Sequence, residues 1–308
     1  MSRKIIVVTE KPFASEAVDL IKEAGDAAGY QVDFFESYKD KSELINKVPG
    51  YEGMIIRSDI IDRDVINAAD DLRIIVRAGA GYDNVDLESA SSRDIVVMNT
   101  PGQNSNAVAE LALGMMVMMA RNKYNGKSGT ELKGKKLGIH AYGNVGKYVA
   151  AIAKGFGMEI YAYDPFIEDD VIRKDGITPV SSAVELYSKC QYISLHIPSN
   201  AETKGSIGFE LLSKLAPGAA LVNTARKEVI NEAELLRVFS EREDFVYMSD
   251  IAPDNAEEIN EKFGSRAFFT PKKMGAQTAE ANINAGVAAI NQIVGFFEKG
   301  DTAFQVNK

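Results

Sequence analysis

The residues able to do chemistry in this chain are concentrated in one glycine turn, three arginines at the ends of apolar runs, and a pair of adjacent lysines. The turn is Ala141-Tyr142-Gly143-Asn144-Val145-Gly146, an AxGxxG pattern between the apolar runs Leu137 to Ala141 and Glu159 to Tyr163, with Asp164-Pro165 at the far tip. Strand, turn, helix and strand in that order are the layout of a dinucleotide-binding unit. Gly143 lets the backbone approach a pyrophosphate, and Gly146 lets helix and strand pack closely. With Asn144 and Val145 completing the turn, the unpaired N–H groups of the helix N-terminus that follows would receive the phosphates. Ala141 can replace the first glycine if its φ stays negative. Asp164 has the spacing of the acid that hydrogen-bonds the ribose hydroxyls, and a carboxylate there repels a 2′-phosphate, favouring NAD over NADP. The plain alternative is one βαβ unit among several, with glycines present only for packing.

Arg57 and Arg77 close the apolar runs Gly53 to Arg57 and Leu72 to Arg77, so two guanidinium groups fall at strand ends in a chain of net charge −9. Their convergence predicts an anion site; the alternative is that one pairs with Asp59 or Asp83. Arg226 directly follows LVNTA, at the carboxyl edge of a sheet, where ligands bind in such folds. Its alternative is a surface salt bridge. Histidines are scarce, His140 and His196 only, and Cys190 is the single cysteine. That composition predicts no internal disulfide, no histidine or thiolate metal site and a reducing, cytoplasmic setting.

The elements that must hold these residues follow from apolar runs of strand length separated by helical spacing. Strands are expected at 4–10, 31–35, 53–57, 72–77 and 95–99, then at 135–141, 159–164, 192–197, 219–224, 245–250 and 266–270. Helices fall mostly between them, including 15–28, 41–48, 62–69 and 146–156. Two such series predict an α/β protein of two Rossmann-like domains with parallel sheets covered on both faces. Residues 1–100 with 281–308 would form a substrate-binding domain and 101–280 an NAD-binding one, joined by helical crossovers that allow closure. The helix 105–122, AVAELALGMMVMMA at its centre, is apolar nearly all round. Its methionines fill a core or meet a second subunit, which suggests a homodimer. Leu111 to Ala120 is too short to span a bilayer. The N-terminus shows no signal peptide, and the acidic balance argues against nucleic acid as a partner.

Beyond these patterns, RAGAGYDNVD, NTPGQNSNAVAE, SLHIP, LVNTARKEVINEAEL, SDIAP and TPKKMGAQTAEA, with the glycine unit, cover nearly the whole chain. Together they resemble the D-isomer-specific 2-hydroxyacid dehydrogenases, and within that family the short 3-phosphoglycerate dehydrogenases without C-terminal regulatory domains. The resemblance implies an NAD-dependent oxidoreductase for a small anionic 2-hydroxy or 2-oxo acid, acting at the first step of serine biosynthesis. It assigns Arg226 to the substrate carboxylate and the C2 oxygen, a task that suits a planar guanidinium fork. Ala78 and Gly79 match the loop that receives the carboxylate, and Arg57 and Arg77 the groups that serve the phosphate. Ala80, His196, Pro198, Thr203, Thr224, Ala225 and Asp250 match positions around the cofactor, beside Tyr142 to Gly146, Asp164 and Pro165.

The chain departs from this family at its acid–base pair. Where a histidine precedes the Gly-Ala turn in the family, this chain has Lys272-Lys273-Met274; where a glutamate partners it, this chain has Asn255; and Lys227-Glu228 replaces a glycine pair. Alignment upstream selects Lys272 as the histidine's replacement, whereas alignment downstream selects Lys273. Losing both members together is chemically coherent. A neutral histidine needs a carboxylate to fix its tautomer, and an amine has none to fix; a close glutamate would also weaken a lysine as a base. The competing expectations are a dehydrogenase for an unphosphorylated 2-hydroxy acid and an inactive NAD-binding regulatory protein.

Overall fold

The computed structural model describes residues 2–308. The chain divides into two compact units, one holding everything up to Asn104 together with Thr278–Lys308, the other Ser105–Gln277. In chain order the first part contains β1 Lys4–Thr9, α1 Ser15–Ala27, β2 Gln31–Glu36, α2 Lys41–Lys47, β3 Gly53–Ile56, α3 Arg63–Ala68, β4 Ile74–Arg77, α4 Leu87–Ser91 and β5 Val96–Asn99. The second unit follows with α5 Ser105–Ala120, β6 Lys136–His140, α6 Asn144–Gly155, β7 Glu159–Tyr163, α7 Asp169–Lys174, β8 Thr178–Pro179, α8 Ala183–Lys189 and β9 Tyr192–Leu195. It continues through α9 Phe209–Leu212, β10 Ala220–Asn223, α10 Glu232–Glu241, β11 Val246–Ser249, α11 Ala256–Phe263 and β12 Ala267–Phe269, and α12 Ala279–Lys299 belongs to the first unit.

The first unit's strands are parallel in the order β2-β1-β3-β4-β5. Residues alternate across the sheet: Ile5, Val7, Ile55, Ile74 and Val76 face a core shared with α1 and α12, while Ile6, Val8, Met54, Ile56 and Ile75 face one shared with α2 to α4. Burial on both faces explains why these strands read as unbroken apolar runs. Thr278 caps α12 through the Ala281 N–H, and Gly300, at φ 65°, ends it in the left-handed conformation that glycine adopts freely. The chain end then covers the outer edge of β5, where the Val306 N–H donates to the Val97 carbonyl at 2.9 Å and Asn307 Oδ1 accepts from the Val97 N–H at 2.9 Å. An open edge of parallel strand is thereby blunted.

The second unit is a seven-stranded parallel sheet in the order β12-β11-β10-β9-β6-β7-β8. The short β8 and α4 escape the sequence reading because two and five residues are too few to establish a period. Helix α5 ends at Ala120, two residues before the expected Asn122, because Asn122, Lys123 and Tyr124 take positive φ of 51°, 53° and 56°. Lys123 Nζ holds that left-handed turn by donating to the Gly264 and Ala267 carbonyls at 2.6 and 2.5 Å. Met115, Met116 and Met119 are buried within the unit, while Leu111, Val117 and Met118 on the other side are only partly covered. Among the described residues no helix is long and apolar enough to cross a membrane.

Because every strand pair is parallel, all the chemistry-bearing residues leave their sheets at the same edge of each unit. Arg57 and Arg77 lie at the carboxyl ends of β3 and β4. The glycine turn follows β6, Asp164 follows β7, His196 follows β9, Thr224 follows β10 and Asp250 follows β11. Strand order reverses between β1 and β3 in one unit and between β6 and β9 in the other, and such switch points open crevices.

Candidate active site

The glycine turn bends sharply between β6 and α6. Ala141 has φ +79°, not the negative value its sequence position suggests. The turn imposes the left-handed conformation whichever residue is present, at a cost of about 1–2 kcal/mol for an alanine. Gly146 is required sterically, since a Cβ there would stand 2.5 Å from the Ala141 carbonyl oxygen. Gly143 is different: its φ is ordinary, and a Cβ would meet nothing within 4 Å. The first turn of α6, opened by Asn144 and Val145, has no side-chain cap, so its leading N–H groups are not taken up by a capping side chain. Tyr142 turns its ring into the core with its hydroxyl on Asp175 at 3.0 Å, so only its backbone belongs to the turn. That N–H donates to Asp164 Oδ2 at 2.8 Å, and the Phe166 N–H donates to Oδ1 at 2.9 Å. The carboxylate is thus fixed beside the turn with one acceptor site left on each oxygen; Pro165 next to it is exposed.

Both histidines sit at the β6/β9 reversal. His140 ends β6 and its Nδ1 lies 3.2 Å from the Tyr187 hydroxyl. Burial pushes its pKa down to about 4. His196 follows β9; burial, and then the neighbouring His140, push it down to about 3. Its Nε2 is buried without a hydrogen-bond partner, as is Thr224 Oγ1. In the loop beyond, Thr203 Oγ1 donates to the Pro198 carbonyl at 2.5 Å, closing a short exposed turn.

The ends of β10 and β11 carry the groups closest to acid–base chemistry. Asn223, Thr224, Ala225, Arg226, Asp250 and Lys273 line one crevice. Arg226 is exposed and its Nη1 donates to the Ala225 carbonyl at 3.0 Å, the same oxygen that accepts from Lys273 Nζ at 3.3 Å. Lys272 is exposed and outside that lining. Asp250, 2% exposed, spends its carboxylate on the lysine loop. Oδ1 accepts from the Met274 N–H at 2.7 Å and Thr270 Oγ1 at 3.2 Å, and Oδ2 from the Gly275 N–H at 2.8 Å. Gly275 is needed there, since a Cβ would meet that oxygen at 2.9 Å. Asn255 is turned aside: its N–H and Nδ2 donate to Glu232 at 3.2 and 3.0 Å. Lys227, in place of the first glycine of the pair, forms an ion pair with Asp254. Asn223, which the sequence motif contains but gives no role, holds the arginine turn from below.

In the first unit Arg57 sits at the β1/β3 reversal. Its Nη1 donates to the Lys11 and Pro12 carbonyls at 2.9 and 3.1 Å, its Nη2 bonds Asn282 Oδ1, and its guanidinium lies over the Phe13 ring at 5.0 Å. Burial lowers its pKa from the ordinary value. Asp59 does not pair with the guanidinium but accepts from the Arg57 backbone N–H at 3.1 Å, from the Glu10 N–H at 2.7 Å and from Tyr38 at 2.8 Å. Arg77 Nε donates to the Arg57 carbonyl at 3.0 Å. Its guanidinium folds over Gly79, where a Cβ would stand 1.5 Å from Nη1 and where φ is +150°. Ala78 beside it is buried, and the Ala80 carbonyl accepts from Asn99 at 2.6 Å. Asn282 gave no signal, because its contact with Arg57 bridges 225 residues of sequence.

A doubly wound sheet with a glycine turn at its reversal, preceded by a second parallel α/β unit, defines a nucleotide-binding dehydrogenase architecture. Comparison with known proteins makes this specific: the chain belongs to the D-isomer specific 2-hydroxyacid dehydrogenase family, whose catalytic-domain pattern matches residues 6–307. It is similar to D-3-phosphoglycerate dehydrogenase of Methanocaldococcus jannaschii, 32% identical over 302 residues, covering 94% of this chain and 56% of that protein. The chain spans about half the length of the curated relatives it first matches. It is 33% identical to hydroxypyruvate reductase of Thermotoga maritima, covering 85% of this chain and 90% of that one. Among solved structures, the NAD+-bound 3-phosphoglycerate dehydrogenase of Entamoeba histolytica is 50% identical with a TM-score of 0.87, covering 100% of this chain and 99% of that chain.

Two outcomes follow from this geometry. Ala141→Gly should relieve the left-handed strain against a smaller rise in unfolded-chain entropy, raising stability by up to about 1 kcal/mol; urea unfolding measures it, and a clear loss of stability would contradict the assigned backbone. The two histidines bind protons more readily unfolded than folded between their ordinary pKa of 6.5 and about 4. Stability therefore falls as pH drops through that window, on the order of 2 kcal/mol per histidine from about pH 6.5 to 4.5. Unfolding curves across the window should flatten in His140→Phe and steepen in neither histidine variant.

Proposed function

We propose that this chain catalyses the reversible NAD-dependent oxidation of 3-phospho-D-glycerate to 3-phosphohydroxypyruvate. The observation that carries the reading is the Ala225 carbonyl shared by Arg226 and Lys273, at 3.0 and 3.3 Å, which sets a fork and an amine side by side. The second unit suits a dinucleotide on three counts. No protein neighbour fills the space beside Gly143, the first turn of α6 has no side-chain cap, and the buried His196 Nε2 and Thr224 Oγ1 lack partners. NAD, when bound, supplies the hydride acceptor. Arg226 holds the substrate carboxylate and polarises the C2 oxygen. Lys273, as the neutral amine, takes the C2 hydroxyl proton at Nζ and returns it in the reverse direction. Arg57 and Arg77 hold the phosphate in the first unit. Arg57 is suited to an anion because its direct side-chain partners, two carbonyls, an amide oxygen and a ring, are all neutral.

A second reading, a dehydrogenase for an unphosphorylated acid such as hydroxypyruvate or glycerate, is favoured by the likeness to the Thermotoga maritima reductase. An inactive binding protein is the third. The exposed Tyr124, Tyr148 and Phe156, together with the half-covered side of α5, suit a second copy of the chain, and we read the protein as a homodimer.

Absorbance at 340 nm should rise with NAD and phosphoglycerate, faster at alkaline pH because only the neutral amine accepts a proton. Lys273→Ala should cut turnover by at least about 100-fold, the usual weight of a general base, while Lys272→Ala leaves it within a few-fold. Equal efficiency on glycerate would select the second reading, and full activity of the double lysine variant would remove the proton carrier from the scheme. Analytical ultracentrifugation should give twice the chain mass; a monomer at micromolar concentration contradicts the dimer.

A further inference from the structure

We infer that Asn223 is the positioning residue that sets both charged groups of the reaction, an inference that rests on the roles just given to Arg226 and Lys273. Asn223 ends β10 with 2% of its surface exposed. Its Oδ1 accepts from the Ala225 N–H at 3.0 Å and its Nδ2 donates to the Arg226 carbonyl at 2.9 Å. Tyr247, buried on the adjacent β11, brings its hydroxyl within 3.4 Å of the same Nδ2. One side chain thus staples the turn Thr224-Ala225-Arg226 at both ends.

The consequence lies in the orientation of a single peptide. With the Ala225 N–H committed to Asn223, the Ala225 carbonyl is the face of the turn left for other donors. It receives Arg226 Nη1 and Lys273 Nζ together. The lysine comes from a different loop, after β12, that Asp250 pins independently, so the Ala225 carbonyl is where the two loops are brought into register. Rotating that peptide would displace the fork and the amine relative to each other, although Asn223 touches neither reacting group.

The task demands an amide. It needs one acceptor and one donor on the same short planar group, and asparagine alone offers both at that length. Aspartate keeps the acceptor but sets an anionic oxygen against the Arg226 carbonyl. Serine cannot reach both partners at once. In a buried position an unmet polar partner is costly, so the turn would rearrange rather than tolerate the mismatch.

The test compares wild type, Asn223→Asp and Asn223→Ser by steady-state kinetics across pH, with NAD affinity and thermal midpoint measured on the same preparations. The expected result is a loss of about 10- to 100-fold in kcat/KM, divided between a raised KM for the acid substrate and a lowered kcat. The ascending limb of the kcat profile for oxidation should also move, while NAD affinity stays within about threefold. The serine variant carries the test should the aspartate variant fail to fold. A folded variant with wild-type KM, kcat and ascending limb would overturn the inference, and so would one whose only change is a lowered thermal midpoint. Arg226→Ala and Lys273→Ala run alongside: if these retain turnover, the underlying reaction scheme fails, whereas if they abolish it and Asn223 variants behave as wild type, only the positioning role does.

Discussion

The Asp250 carboxylate is the constraint on which the second unit's candidate site depends. It is almost wholly buried and would be expensive to hold there unmet, yet it accepts two backbone N–H groups and a threonine hydroxyl from the segment after β12. Hydrogen bonds to a charged acceptor contribute roughly 1.5–3 kcal/mol each, enough to fix the path of a short loop that carries two lysines and a glycine. The carboxylate therefore determines where Lys273 begins, and Asn223 determines what it reaches. Neither depends on a long-range field: Asp250 reaches across to the segment after β12, chiefly through its backbone, and Asn223 bonds the backbone of its own turn.

The first unit uses a contrasting device. Its central arginine is fixed by neutral acceptors, while the nearest acid, Asp59, is occupied by backbone and tyrosine donors. A guanidinium restrained in this way has little freedom left to lose. Gly79, at φ +150°, holds a backbone conformation that L side chains rarely adopt, and the Arg77 guanidinium occupies the space where its Cβ would stand.

Much of this arrangement could be read in the amino-acid order. Two series of apolar runs separated by helical spacing led to two parallel sheets, since strands buried on both faces carry the signal in their composition. The AxGxxG turn and Asp164 were recognisable by spacing, because glycines and an acid at fixed offsets answer local backbone needs. What escaped was either too short, as with β8 and α4, or conformational. Ala141 was expected at negative φ, and Tyr142 could not be told from a surface residue of the turn until its ring was seen against Asp175.

The sequence by itself determined the fold class, the strand ends that bear chemistry and the absence of the usual histidine, all of which are properties of residue type and local order. Only the tertiary structure decided which lysine lies beside Arg226, and that Asn223, Asp250 and Asn282 hold the charged groups in place. The Asn223 bonds span only two and three positions, but the others join residues separated by 20 to 225 positions. Their geometry depends on strand order and on hydrogen-bond directions that no linear pattern carries, because a parallel sheet brings distant strand ends together without leaving a periodic trace of the meeting.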